Sequence, residues 1–259
     1  MIDLSGRAAL VTGASRGIGR ATALALAAAG ADVAVNFRVS EEEARGVAEE
    51  AAALGAAAVA VRADVSERDD VRGLVDAVAG HFGRLDIVVS NAAAGGFRPA
   101  TRMTPAHLES VLRANAAPLA WLAADAADLL ADDAPGAGGR CGKVVAVSSH
   151  GGRWAVPNYA AVGASKAALE SIARSLAIEI GPRGINVNVV LPGIVATEAV
   201  RSMPGVEGLL RGAGERMMTA RREITPDDVA GAIAFLCSPL SDMVQGETLV
   251  VDGGTSVRA

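Results

Sequence analysis

Short apolar runs alternate with longer amphipathic ones along this chain, and the alternation predicts its architecture. Residues 7–12 (RAALVT) form a compact apolar run that ends in glycine. Residues 18–29 then carry Ala and Leu at helical spacing until Gly30 stops them. The same pairing recurs to the end of the chain. Further strands are predicted at 32–37 (DVAVNF), 57–62 (AAVAVR), 85–90 (LDIVVS), 143–147, 185–190 and 248–251, and further helices over 41–54, 67–82, about 104–130, 160–180 and 227–237. Seven strands alternating with six main helices predict an α/β fold. Its centre is a doubly wound parallel sheet with right-handed crossovers and helices on both faces.

Composition narrows the class. With 259 residues, 51% of them hydrophobic and no compositional break, the chain is expected to form one domain, residues 1–259. A net charge of −5 with interspersed signs argues against a nucleic-acid surface. The two cysteines, Cys141 and Cys237, lack metal-ligand spacing, so no metal is expected and they read as reduced packing thiols. The N-terminus has no basic targeting region, and no apolar run approaches a membrane span, so a soluble cytoplasmic protein is expected. Residues 134–142 (APGAGGRCG) read as a surface turn.

Residues 12–19 read TGASRGIG, directly after a strand and opening a helix. Gly13, Gly17 and Gly19, with Ser15, Arg16 and Ile18 between them, leave backbone N–H groups open to a pyrophosphate at a helix N-terminus. This is a variant of the dinucleotide fingerprint, and it makes the predicted sheet Rossmann-type. The end of the second strand, where an acid would bind the adenosine ribose of NAD, holds Asn36, Phe37 and Arg38 instead. Arg16 and Arg38 are placed to grip a 2′-phosphate, so the expected cofactor is NADPH.

The candidate chemistry lies in residues 148–170. Tyr159 is the only tyrosine, and Lys166 follows seven positions later. If both were helical, their side chains would share a face about 10.5 Å apart along the axis. A phenol beside an ammonium suggests an acid with its pKa adjuster. His150 lies next to the pair without a carboxylate nearby in sequence, which favours a packing or surface role.

Taken in order, these motifs resemble the short-chain dehydrogenase/reductase superfamily over essentially the whole chain. Asp64-Val65 is similar to its adenine contact, and Ser90 to Ala93, including Asn91 and Ala92, to the stretch lining the cofactor site. Asn115, Ser148-Ser149, and Pro192, Gly193, Ile194 and Thr197 of PGIVATE also fall where the family places functional residues. The common carbonyl-reducing members carry Tyr-x-x-x-Lys, but here Gly163 stands four after Tyr159 and Val162 four before Lys166. The six-residue gap, with PNYAAVGASKAALE and NAAAGGFRP, most resembles the NADPH-dependent enoyl-acyl carrier protein reductases. Some of those carry a second tyrosine ten residues before the first, where this chain has Ser149.

The resemblance implies that Lys166 binds the nicotinamide ribose and lowers the Tyr159 pKa. It further implies that Tyr159 stabilises or protonates an enolate as hydride reaches the β-carbon of an enoyl thioester on acyl carrier protein or CoA. Ser149 is then a second hydrogen bonder, and Asn115 either bends its helix or relays water. A carbonyl reductase, favoured by Ser149, is the competing reading; a non-catalytic NADP sensor or scaffold is the third. Residues 194–223, rich in Met (203, 217, 218) and Arg (201, 211, 216, 221, 222), are expected to form a substrate lid. Helices 104–130 and 160–180 are apolar on more than one side, which with the resemblance implies a homotetramer first and a dimer second.

Overall fold

The computed structural model describes residues 2–131, 141–201, 206–219 and 222–257. Seven strands form one parallel sheet: β1 (Ala8–Val11), β2 (Asp32–Phe37), β3 (Ala58–Arg62), β4 (Ile87–Ser90), β5 (Gly142–Val147), β6 (Ile185–Pro192) and β7 (Thr248–Val251), in the order β3-β2-β1-β4-β5-β6-β7. The winding reverses between β1 and β4, and a crevice opens there beyond the carboxyl ends of the strands.

Alternation along each strand divides the core. Ala9 and Val11 of β1, Ile87 and Val89 of β4, and Val145 and Val147 of β5 face one apolar layer. Their neighbours Leu10, Val88, Val144 and Ala146 face the other. The first layer is closed by α1 (Gly17–Ala28), α2 (Glu41–Ala53) and α9 (Pro226–Leu236). The second is closed by α3 (Arg68–Phe82), α5 (Ala117–Leu130) and α6 (Ala160–Ile180). Every residue of β1, β4, β5 and β6 is buried, as expected of a parallel sheet covered on both faces.

The sequence pattern departs from the structure in three places. The apolar stretch 104–130 is two helices, α4 (Pro105–Asn115) and α5, divided at Ala116. Pro118 has no N–H to continue the helix of α4, and the Asn115 carboxamide turns away to accept the Ala94 N–H at 2.7 Å. Tyr159 is not a helical residue but the cap of α6, with ψ 5, so Tyr159 and Lys166 do not lie along one helical face. Residues 194–223 contain α7 (Glu198–Arg201) and α8 (Val206–Arg216), and a parallel bridge between Val195 and Ile224 brings the ends of the segment together. Most of the predicted 134–142 turn, with Met203 and Arg221, lies outside the described residues. Among the described residues no helix is long and apolar enough to cross a membrane.

Candidate active site

The glycine loop floors a cleft of about 370 Å³ at the β1/β4 reversal. Gly13, Ser15, Arg16, Gly17, Ile18 and Gly19 line one side. Asp64 and Val65, the Asn91–Ala94 stretch, Arg38 and Thr197 complete it. The glycines are required by close approach: a Cβ at Gly19 would lie 2.4 Å from the Gly13 carbonyl oxygen, and one at Gly13, where φ is +61, would lie 2.9 Å from Ala92 Cα. Thr12, which sequence reasoning passed over, fastens the two walls. Its Oγ1 accepts the N–H groups of Asn91 at 3.0 Å and Ala92 at 3.1 Å, while Asn91 Nδ2 donates to the Thr12 carbonyl at 2.9 Å. Pro192, Gly193 and Ile194 do not line this cleft; they continue from the end of β6, where the Gly193 N–H donates to Val251 O.

Asn36, at the end of β2, is buried and committed to backbone. It accepts the Gly13 N–H and donates to the carbonyls of Val61 and Ala63. No carboxylate stands there, and the nearest cation on that wall is Arg38, whose guanidinium lies 3.4 Å from Asp64. Burial opposes ionisation of Asp64, but the Ser66 hydrogen bonds and Arg38 outweigh it and hold the carboxyl below its ordinary range.

Beyond β5 the chain turns through a short 3-10 segment, His150–Gly152, capped by Ser149, whose Oγ accepts the Gly151 N–H at 3.3 Å. The Tyr159 hydroxyl points to Ser149 Oγ at 3.4 Å, long for a contact between hydroxyls. Lys166 is buried, and its Nζ donates to the Val147 carbonyl at 2.7 Å. Burial lowers the lysine pKa to about 8. Burial also raises that of Tyr159, only partly offset by Ser149, so the phenol keeps its proton. This is opposite to the lowering expected from Lys166. Asn115 is buried and bridges three elements, accepting from Ala94 and donating from Nδ2 to Ser165 Oγ at 3.0 Å.

The Tyr-to-Lys spacing is fixed by packing. A Cβ at Gly163 would lie 2.3 Å from the Gly151 carbonyl oxygen, so position 163 admits no lysine. Val162 is buried with Val111 and Ala161 rather than facing the cleft.

The comparisons agree with this geometry. Residues 13–256 match the family model described as enoyl-(acyl carrier protein) reductase. The 1-cyclohexenylcarbonyl-CoA reductase of Streptomyces collinus is 40% identical over 252 residues, covering 96% of this chain and 87% of that one. A hydroxynaphthalene reductase-like protein of Metarhizium brunneum is 35% identical over 264 residues, 98% of this chain and 96% of its own. Among solved structures, a short chain dehydrogenase from Burkholderia cenocepacia in complex with NADP superimposes with TM-score 0.87 at 35% identity, over 98% of this chain and 99% of that one. This chain belongs to the short-chain dehydrogenase/reductase superfamily. It is therefore an oxidoreductase with a nicotinamide cofactor, and the cleft beside the glycine loop is shaped for one.

Around Tyr159 and Ser149 of this short-chain dehydrogenase/reductase, the fold adds partners that are distant in sequence. Ser148 Oγ donates to the buried Glu170 carboxylate at 2.6 Å, and Arg153 donates to its other oxygen at 3.0 Å, which clamps α6 to the end of β5. His150 has a carboxylate after all: its Nε2 lies 3.0 Å from Asp252 Oδ2, 102 positions away, and its ring stacks on Trp154. Burial nevertheless lowers the His150 pKa. The 194–223 segment rests on the same C-terminal turn, where the Met218 N–H donates to Gly253 O at 2.9 Å. Of its arginines, Arg222 is forked onto Asp228 and braces the start of α9, whereas Arg201, Arg211 and Arg216 are exposed.

Proposed function

We propose that this chain is an NADPH-dependent enoyl-thioester reductase. The observation that carries the reading is the position of Tyr159, a protonated phenol outside α6 with Ser149 beside it and no helical partner four residues away. In carbonyl reduction the proton and the hydride go to adjacent atoms. In enoyl reduction the acid must reach the thioester oxygen, three bonds from the β-carbon and so two bonds further along than in carbonyl reduction, and a phenol displaced from the helix suits that separation. Tyr159 donates its hydrogen bond to the thioester oxygen as negative charge develops there, and Ser149 is a second hydrogen-bond donor to the substrate. Burial of Tyr159 serves this role, because a neutral phenol is the donor an enolate needs. Lys166, held by Val147 O, faces the ribose hydroxyls, and Asn115 keeps the Ala94 loop and α6 in register. When bound, NADPH supplies the hydride; Gly13, Ser15, Gly17 and Gly19 would hold its pyrophosphate, and Arg38 with Arg16 its 2′-phosphate.

The name of the Streptomyces relative favours a CoA thioester over a carrier-protein one. Residues 194–223 act as the lid of a single domain, with Arg201, Arg211 and Arg216 facing the phosphates of the carrier arm. The apolar hollow among Leu112, Trp121, Ala168 and Ile172 suits self-association, and the family resemblance puts a homotetramer before a dimer. A carbonyl reductase is the second reading, favoured by Ser149 at 3.4 Å from the phenol. NADPH oxidation with crotonyl-CoA and with acetoacetyl-CoA separates the two. Turnover of the enoyl compound is expected, and turnover of the β-keto compound alone would replace the first reading with the second.

A further inference from the structure

Because Tyr159 caps α6 rather than lying within it, the Ala161–Val162 cluster covers only part of its ring. A loop some sixty positions upstream supplies further contacts. The Phe97 ring stacks on the Tyr159 ring, with centroids 5.9 Å apart and planes inclined by 20°. The next residue clasps the backbone: the Arg98 N–H donates at 3.0 Å to the carbonyl of Asn158. Asn158 is the only non-glycine among the described residues with a left-handed backbone, φ +63, and that conformation aims the following tyrosine. Two residues before Phe97, Gly95 abuts Val162, where a Cβ would lie 2.4 Å from Cγ2. Against the Tyr159 ring edge lies Gly151, where a Cβ would come within 2.3 Å of Cε1.

We propose that Phe97 is a positioning residue for the catalytic phenol, its ring and the Arg98–Asn158 backbone clasp holding Tyr159 at the place an enoyl thioester requires. The proposal rests on the enoyl-reductase reading for its substrate. The placement of the ring is a separate matter, testable without any substrate. Phe97 lies in an irregular segment between β4 and α4, so the position of the acid depends on how that loop is seated. Removing the ring frees the tyrosine side chain to leave its productive orientation, and small misplacements of an acid cost disproportionate rate. It also exposes the phenol to water, which reverses the burial that keeps it protonated.

The test uses the fact that the chain has one tyrosine. Ultraviolet difference titration of tyrosinate in the cofactor-free, full-length protein therefore reports Tyr159 alone, and circular dichroism on the same samples marks where the fold is lost. Phe97→Ala is expected to let the phenol ionise at lower pH than in the wild type, before unfolding. It should lower kcat on crotonyl-CoA by about tenfold or more while NADPH affinity stays within about twofold. Phe97→Leu keeps apolar cover without an aromatic plane, so it should restore the wild-type titration and part of kcat. An unmoved titration in Phe97→Ala overturns the proposal, and a fall in kcat with an unmoved titration would mean that Phe97 touches substrate rather than holding the phenol. Should the wild type reduce no enoyl thioester, the functional reading fails on its own, and the titration still decides whether Phe97 holds the ring. Should Phe97→Ala not fold, Phe97→Val, which also strips most of the cover from the ring, is titrated in its place: a midpoint shifted to lower pH supports the proposal, and an unmoved one overturns it.

Discussion

At the β1 end of the crevice, most of what faces the cleft is main chain or is pinned to main chain. Gly13 and Gly19 pack against carbonyls and Cα atoms, and Thr12 and Asn91 spend their hydrogen bonds on backbone. At the β5 end, side chains from well-separated segments do the work: Ser149 from a 3-10 turn, Tyr159 from a helix cap, Lys166 from within the helix, Phe97 from a loop. The first region is a rigid surface set by strand geometry, suited to a ligand that is the same in every turnover. The second is assembled from separate pieces whose spacing is set by their mutual packing, as Gly163 against the Gly151 carbonyl illustrates.

The comparison breaks most sharply at Tyr159. Tyr159→Phe keeps the ring and its stacking but removes the proton donor. Turnover of an enoyl thioester should fall by about 10²- to 10⁴-fold, while NADPH affinity measured by fluorescence titration stays unchanged. Unchanged turnover would remove the phenol from the chemistry.

A smaller effect is expected at Lys166, where catalysis and stability pull apart. Burial lowers its pKa to about 8, whereas the unfolded chain holds the ordinary lysine value near 10.5. Between these values the unfolded chain binds more protons, so stability rises with pH across that window, and the penalty is fully present below pH 8. Lys166→Met should therefore be more stable at pH 7 by about 2 kcal/mol, a gross gain of about 3 less roughly 1 for the lost bond to Val147 O. Denaturant melts at a series of pH values check this. The gain should shrink as pH rises above 8, and a gain independent of pH would show that the lysine is not kept charged away from water.

The mildest test addresses the rigid end. Arg38→Ala should reduce the preference of kcat/KM for NADPH over NADH by about tenfold, the loss of one charge-assisted contact to phosphate. An unchanged ratio would leave the 2′-phosphate to other groups.

Legibility in the sequence followed the same division. All seven strands and the glycine loop could be read because period and spacing are local properties. Asp64 and Asn91 were legible only through the family resemblance, and both line the cleft. The resemblance has Asn115 bend its helix or relay water, but a full division at Ala116 is masked by the Ala and Leu that continue on both sides; Pro118 is the local signal. The Glu170 clamp and the Asp252 partner of His150 had no signal in the chain, because they join residues 22 and 102 positions apart. The seven-residue step from Tyr159 to Lys166 fits two helical turns, but a helix starting at Ala160 with Tyr159 as its cap fits the same spacing.

The contact between Gly95 and Val162 has an evolutionary corollary. Moving the acid one turn along, to the four-residue spacing, requires a tyrosine at position 162. That side chain would have to enter space already filled by the Gly95 backbone and the Val111–Ala161 cluster. A single substitution therefore cannot carry this protein from one spacing to the other. The 91–99 loop would have to shift together with position 162, so each spacing of acid and lysine goes with its own seating of that loop.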